Sequence, residues 1–396
     1  MKRSNFVKRS NFRNFPNLRI VEDYYYYKKT KQGIDLIGSI DKRCNLSKQD
    51  ERCDISFLFE FVSSGFPEKR NRIFREIVRR LRSYRRSRQQ GQIISLPVPV
   101  SSGYTERVVN GGEVISTGLE VVLSAAIIEK EKFSWHTQLN YSKNVSRVNS
   151  LPDGVERLTL AYSRIYDSDN QTVWFQVEEG GRIGDMYGTG YLKNENGQFI
   201  IGNDGRFIPN NELQKLGNYN PDFMLGINNS LQYGQFDLGL LLDWRQGGIL
   251  VSRTLALGGV GGQLIETVNR ENDIIADGVV NVGTAETPVY EKNTTAIPAE
   301  TYYRQFYDRN HEENNVYSAS YLKLRQFSLG YTFNNFLSSN AQLNVSLIGR
   351  NLFAISEIPH FDPEQLAVQG NRFVNGVEDM SYATSRSYGI KLGLKF

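Results

Sequence analysis

The chain ends in Ser-Tyr-Gly-Ile-Lys-Leu-Gly-Leu-Lys-Phe, and this stretch restricts the possible folds more than any other. Successive side chains of a strand point to opposite faces. Tyr388, Ile390, Leu392, Leu394 and Phe396 therefore share one side, and Gly389, Lys391, Gly393 and Lys395 share the other. A bilayer is crossed by a tilted strand of about 9–11 residues with every second side chain apolar. An aromatic ring near each end of the apolar row suits the headgroup level on either side.

The same period-two pattern recurs upstream. Leu119, Val121, Leu123, Ala125 and Ile127 form one row, followed by Phe133, Trp135, Thr137, Leu139 and Tyr141. Phe223, Leu225, Ile227, Leu231 and Tyr233 form another, opposite Asn228, Ser230 and Gln232. Phe236, Leu238, Leu240, Leu242 and Trp244 face away from Asp237, Asp243 and Arg245. Phe327, Leu329, Tyr331 and Phe333 make the lower half of a strand starting near Tyr321, and Leu343, Val345 and Leu347 oppose Asn344, Ser346 and Arg350.

The connections choose the architecture. Glu129–Lys132, Gly234-Gln235 and Asn334–Asn340 are short, whereas long polar stretches separate Tyr141 from Phe223, Trp244 from Phe327 and Leu347 from Tyr388. Soluble sandwiches rarely alternate tight turns with such loops, but outer-membrane barrels do, with short periplasmic turns and long extracellular loops. The expected fold is all-β: an antiparallel transmembrane barrel with a periplasmic C-terminus. The mean hydropathy of −0.45 does not oppose this, because barrel strands are only half apolar. Even-parity polar residues such as Asn228, Gln232, Asp243 and Arg350 are expected to face the lumen.

The N-terminal part reads differently. Residues 1–90 carry 23 Lys/Arg against 10 Asp/Glu, and the remainder carries 24 against 33. Residues 1–91 therefore form an atypical basic region, with the barrel region at 92–396. Ile73, Ile77 and Leu81 have helical spacing among arginines, which suits either a basic amphipathic helix or, preferably, a solvated extension. Cys44 and Cys53 have neither zinc spacing nor a disulfide framework, so a reduced pair or one optional bridge is expected.

Signals for catalysis are weak. His136, His311 and His360 lack metal-ligand spacing. The Gly258–Gly262 run fails the dinucleotide fingerprint because Leu264 stands where its last glycine should be. Ser39-Ile40-Asp41-Lys42 and Ser168-Asp169-Asn170 mimic two β-lactamase motifs, but no Lys-Thr-Gly follows. Asp362 and Glu364 are no indication of acid–base chemistry on their own. No catalytic residue, metal, cofactor or nucleic-acid partner is expected.

Residues between the strands carry a resemblance. They include Leu96-Pro97-Val98-Pro99 with Ser102-Gly103-Tyr104, Glu179-Gly180-Gly181-Arg182-Ile183-Gly184 leading to Tyr187-Gly188, and Gly217-Asn218 with Pro221. Trp244-Arg245-Gln246-Gly247-Gly248, Ala319-Ser320-Tyr321-Leu322-Lys323-Leu324-Arg325, Gly349-Arg350-Asn351-Leu352-Phe353 and Asp362-Pro363-Glu364 follow in order. In this order and spacing the chain resembles the C-terminal barrel region of the SusC/RagA family of TonB-linked (TonB-dependent) outer-membrane transporters.

The resemblance implies the C-terminal strands of a barrel of about 22 strands with a plugged lumen. It implies import of oligosaccharides or peptides across the outer membrane, with a SusD-like lipoprotein lid outside and the TonB complex acting through the plug. Neither a plug nor a signal peptide is read in residues 1–91, so a truncated product that does not transport alone is expected. Tyr302, Tyr303, Tyr307 and Arg304 are candidates for substrate or lid contact; equally, these tyrosines order their own loop. In such families Tyr388 and Phe396 belong to the terminal strand that the assembly machinery recognises. The rival readings are a secreted β-sandwich carbohydrate-binding module and a non-functional fragment of a transporter.

Overall fold

The computed structural model describes residues 106–163, 173–336, 341–369 and 372–395, together with five backbone segments among the first 97 residues. One 12-stranded sheet organises the chain. Its strands are β1 (Val7–Arg9), β2 (Ile20–Thr30), β3 (Gly33–Ser47), β4 (Asp50–Leu58), β5 (Arg79–Pro97) and β6 (Glu106–Lys130). They continue with β7 (Phe133–Ser150), β8 (Phe223–Tyr233), β9 (Phe236–Gln246), β10 (Tyr321–Asn334), β11 (Gln342–Ser356) and β12 (Ser387–Lys395). Each pairs antiparallel with its neighbours in chain order. The seven alternating segments read from the sequence are β6 to β12.

β8 and β9 show how sequence sets register. Tyr233 pairs with Phe236 across Gly234-Gln235, and Gly234 has φ 57, the positive value that tight hairpin turns require. With the turn fixed, Leu225 opposes Trp244, Ile227 opposes Leu242 and Leu231 opposes Leu238 on one face. Asp243 and Asn228 belong to the other, where Gly226 opposes Asp243 and Leu241 opposes Asn228. The apolar face is left uncovered: Tyr388 is 77% exposed, Ile390 70% and Leu392 69%. In water such a row would be an aggregation hazard; against lipid tails it is the required surface. A polar intruder on that face, Asn229, accepts a hydrogen bond from Trp135 Nε1 at 3.0 Å, which meets the demand for internal satisfaction in lipid.

Two β-bulges depart from simple alternation. In β6 a register shift between Ala126 and Ile128 puts Ile128, rather than Ile127, in the row opposite Trp135. In β10 the shift falls at Arg325, so Leu322 and Leu324 join the apolar face while Tyr321 and Lys323 join the polar face beside Arg245 and Asp243.

β5 crosses residue 91, and Leu81 pairs with Val122 inside it instead of lying on a helix or a solvated extension. A long partner ladder along β6 overrides the local helical spacing; Ile73 and Ile77 lie outside the described residues. Backbone register sets Cys44 opposite Cys53.

Among the described residues the apolar clusters gather at one end of the sheet, in the three long connections β7–β8, β9–β10 and β11–β12 and the strand ends beside them. One cluster joins Val173, Phe175 and Met186 from the first, Val251 from the second, and Ala367 and Val377 from the third. Ile249–Ser252 pairs with Val316–Ser318 and runs parallel to Val377–Glu378, joining the second and third connections. Helices α1 (Arg253–Val260) and α2 (Ala299–Phe306) complete the second. The Ser252 side chain caps α1 by accepting from the Leu255 N–H at 3.1 Å.

Candidate functional site: the junction of polar face and loop layer

The bulge at Arg325 brings three polar side chains of β10 together beneath the third loop. Lys323 Nζ contacts Asp362 and lies 2.6 Å from Glu364 Oε2. Arg325 reaches Asp243 Oδ2 through Nη2 at 2.6 Å and Nε at 2.9 Å, and Glu364 Oε2 through Nη1 at 2.6 Å. The Tyr321 hydroxyl donates to Glu364 at 2.8 Å, and Lys323 Nζ sits 4.5 Å from the Tyr321 ring centroid. Lys323 is only 2% exposed, so its charge survives only because two carboxylates face it.

Burial pushes the Glu364 carboxyl up, but hydrogen bonds from Arg325 and Lys323 outweigh it and hold the group at about 2. Asp362 accepts the Glu364 backbone N–H at 2.9 Å and the Thr384 hydroxyl at 3.0 Å, which shapes the loop that presents both acids. Each carboxylate is committed to a cation. The arrangement holds a loop to a wall and has no nucleophile–base pair.

Other stretches singled out in the sequence make similar joints. Arg245 Nη2 donates to the Tyr219 carbonyl at 2.7 Å, and the Gly247 N–H donates to the Ser320 hydroxyl at 2.9 Å. Gly248 has φ 85, and a Cβ there would stand 2.8 Å from the Tyr219 carbonyl oxygen, so only glycine fits. Asp185 is buried and accepts from Arg182 N, Lys215 Nζ and Asn218 Nδ2. Deeper still, Arg253 pairs with Glu312, and Glu378 accepts from the Ser252 and Thr254 hydroxyls.

The candidate residues fall in separate places. Asn228, Gln232, Asp243 and Arg350 lie on one sheet face by register, with Asp243 committed to Arg325. Tyr302 and Tyr303 lie on α2. Tyr302 packs with Phe207 and Phe306, and the Tyr303 hydroxyl donates to the Glu266 carbonyl at 2.8 Å. Tyr307 is 7% exposed and packed near α1, where Gly259 leaves room for its ring, as the loop-ordering alternative expects. Arg304 is exposed and pairs with Glu300 one turn away. Tyr388 is on the apolar face of β12; Phe396 lies outside the described residues.

The histidines are apart in the fold as in sequence. His136 pairs with Ser230 in the sheet, His311 meets Thr189, and His360 lies 2.9 Å from Glu266. Among the described residues no group of three or more metal-ligating side chains converges.

A two-faced antiparallel sheet with tight turns at one end and a folded layer at the other defines an outer-membrane β-barrel protein. Comparisons with known proteins show what the chain is similar to. No family model matches the chain. TonB-dependent receptor P3 of Formosa agariphila is 27% identical over 326 residues, covering 76% of this chain and 30% of the relative. TonB-dependent receptor P39 of the same organism is 23% identical, covering 77% of this chain and 32% of the relative. The chain thus spans about a third of the length of these curated relatives. The solved RagAB peptide transporter superposes with a TM-score of 0.54 at 14% identity, covering 95% of this chain and 40% of that one. The chain is thus similar in sequence to TonB-dependent receptors and shares the barrel fold of the RagAB transporter.

Proposed function

We propose that the chain forms barrel wall and extracellular layer of a TonB-linked importer of oligosaccharides or peptides. The sheet's apolar face meets lipid, and its polar face, with Asn228, Gln232, Asp243 and Arg350, lines the passage. A SusD-like lipoprotein sits on the loop layer near Tyr302, Tyr303 and Arg304, and the TonB complex acts through a plug held in the barrel.

The observation that carries this reading is the uncovered apolar row of β12 and its neighbours beside a folded loop layer. A secreted sandwich would need a second sheet packed on that row, whereas the buried clusters among the described residues lie in or beside the loops. In the native host, the tagged chain should fractionate with outer membranes and co-purify in detergent with a lid lipoprotein. Disrupting its gene should abolish proton-motive-force-dependent uptake of a fluorescent oligosaccharide or peptide. Recovery as a soluble protein without detergent would sink the reading.

A further inference from the structure

Away from the ionic junction, the loop layer holds a polar cavity of about 530 Å³. It forms where three short strands meet: Ile200–Ile201 runs parallel to Val279–Asn281, which pairs antiparallel with Tyr290–Lys292. The hairpin at 194–198, the segment at 277–279 and the strand at 290–292 supply its lining.

Its framework is held by its own bonds. Asn194 Oδ1 accepts the backbone N–H groups of Asn196 and Gln198 at 3.0 and 2.9 Å, and its Nδ2 donates to Gln198 Oε1 at 2.9 Å. The Val279 N–H donates to the Phe199 carbonyl at 2.8 Å, and the Asn293 N–H to the Gly278 carbonyl at 3.0 Å. The buried Asn293 side chain donates to the Ala276 carbonyl at 2.9 Å. At Gly278 a Cβ would lie 2.6 Å from the Phe199 carbonyl oxygen, so the floor accepts no side chain there. A floor fixed in advance lowers the ordering cost of binding.

The lining chemistry selects a ligand class. With Gln198 Oε1 occupied by Asn194, the Gln198 amide offers donors. The Asn196 amide offers both donor and acceptor, the Asp277 carboxylate acceptors, and the Lys292 ammonium donors. Hydroxyl groups donate and accept at once, so closely spaced ring hydroxyls satisfy this mixture. Tyr290, 37% exposed, adds an aromatic surface. An apolar peptide side chain would want an apolar pocket, and beyond the Tyr290 ring the lining offers only the buried Val279.

We infer that this cavity is a saccharide-binding subsite in the extracellular layer, recognising a polyhydroxyl ring through Asn196, Gln198, Asp277 and Lys292 with Tyr290 as its aromatic platform. The inference rests on the import reading for the cavity's extracellular placement, and it selects saccharide over peptide as the ligand there.

The test is isothermal calorimetry on the full chain in detergent with maltohexaose, laminarihexaose and xylohexaose, and with hexaglycine as the peptide probe. At least one hexasaccharide should bind. Tyr290→Ala should weaken it about tenfold and Gln198→Ala about fivefold. Tyr382→Ala, at a 99% exposed residue of the third loop, should leave it unchanged. Both cavity positions are exposed, so unaltered circular dichroism should show that the variants fold. Binding of no hexasaccharide, binding indifferent to both cavity variants, or hexaglycine binding that depends on them would overturn the inference. Outer-membrane fractionation and lid co-purification do not depend on these side chains, so they judge the import reading separately.

Discussion

The membrane sheet and the loop layer solve the problem of burial in opposite ways. From β6 to β12 the sheet has little interior of its own: one face carries Leu347, Ile390 and Leu392 into lipid, and the other is polar. The loop layer resembles a small globular domain, with apolar clusters, short sheets and buried charges such as Arg253 and Glu312. A strand pattern specifies the first locally, through period and turn chemistry. The second is specified by contacts between residues far apart in sequence, such as the pairing of Val251 with Val377. The Lys323 junction is where the two regimes meet.

The largest effect should come from breaking that junction. Lys323→Ala removes the cation that Asp362 and Glu364 share and leaves carboxylates part-buried without it. Removal of one partner of a buried pair costs roughly 3–5 kcal/mol. Urea unfolding in detergent should show that loss, together with faster proteolysis of the 357–386 loop. A cost below about 1 kcal/mol would make the junction incidental.

On the sheet, Leu392→Arg should cost about 2–4 kcal/mol if the position lies near the bilayer midplane, falling toward the interface. Lys391→Leu, one residue away and on the other face, should change stability little. Equal costs in vesicle refolding would erase the distinction between faces. A smaller loss, about 1–3 kcal/mol, is expected for Trp135→Phe, which leaves Asn229 without its donor on the apolar face.

The smallest effect is acid sensitivity confined to the junction. The Glu364 carboxyl is held at about 2 in the folded chain, well below the usual value of about 4.3. Its stabilisation is therefore complete above pH about 4.3 and fades as pH falls toward about 2. Glu364→Gln should flatten that part of the stability–pH curve without altering the curve near neutrality in shape. An unchanged acid slope would show that another group carries it.

Much of the sheet was legible because each strand states its own period. The row from Phe236 to Trp244 and the turn at Gly234-Gln235 suffice to place β8 and β9 in register. The bulges were legible only in part. In β10, Tyr321, Lys323 and Arg325 share the parity of Phe327 and Leu329, and so many polar groups on an apolar row signal a shifted register. The strand at Leu81 was not legible, because a long β5–β6 ladder outweighs a weak local pattern. The stretches that carried the resemblance were visible as residues, yet their work was not: Asp362 and Glu364 meet Lys323 across about forty residues of chain. The burial of Tyr307 was illegible for the same reason, since its neighbour Gly259 is close only in the fold.

The central claim is that alternate residues of β12 face lipid. Single cysteines at Ile390, Lys391, Leu392 and Gly393, introduced with Cys44→Ser and Cys53→Ser, can carry a fluorophore in protein refolded into vesicles. Brominated lipid should quench the labels at 390 and 392, and aqueous iodide those at 391 and 393. Uniform quenching by iodide along the strand, with no alternation, would contradict the account.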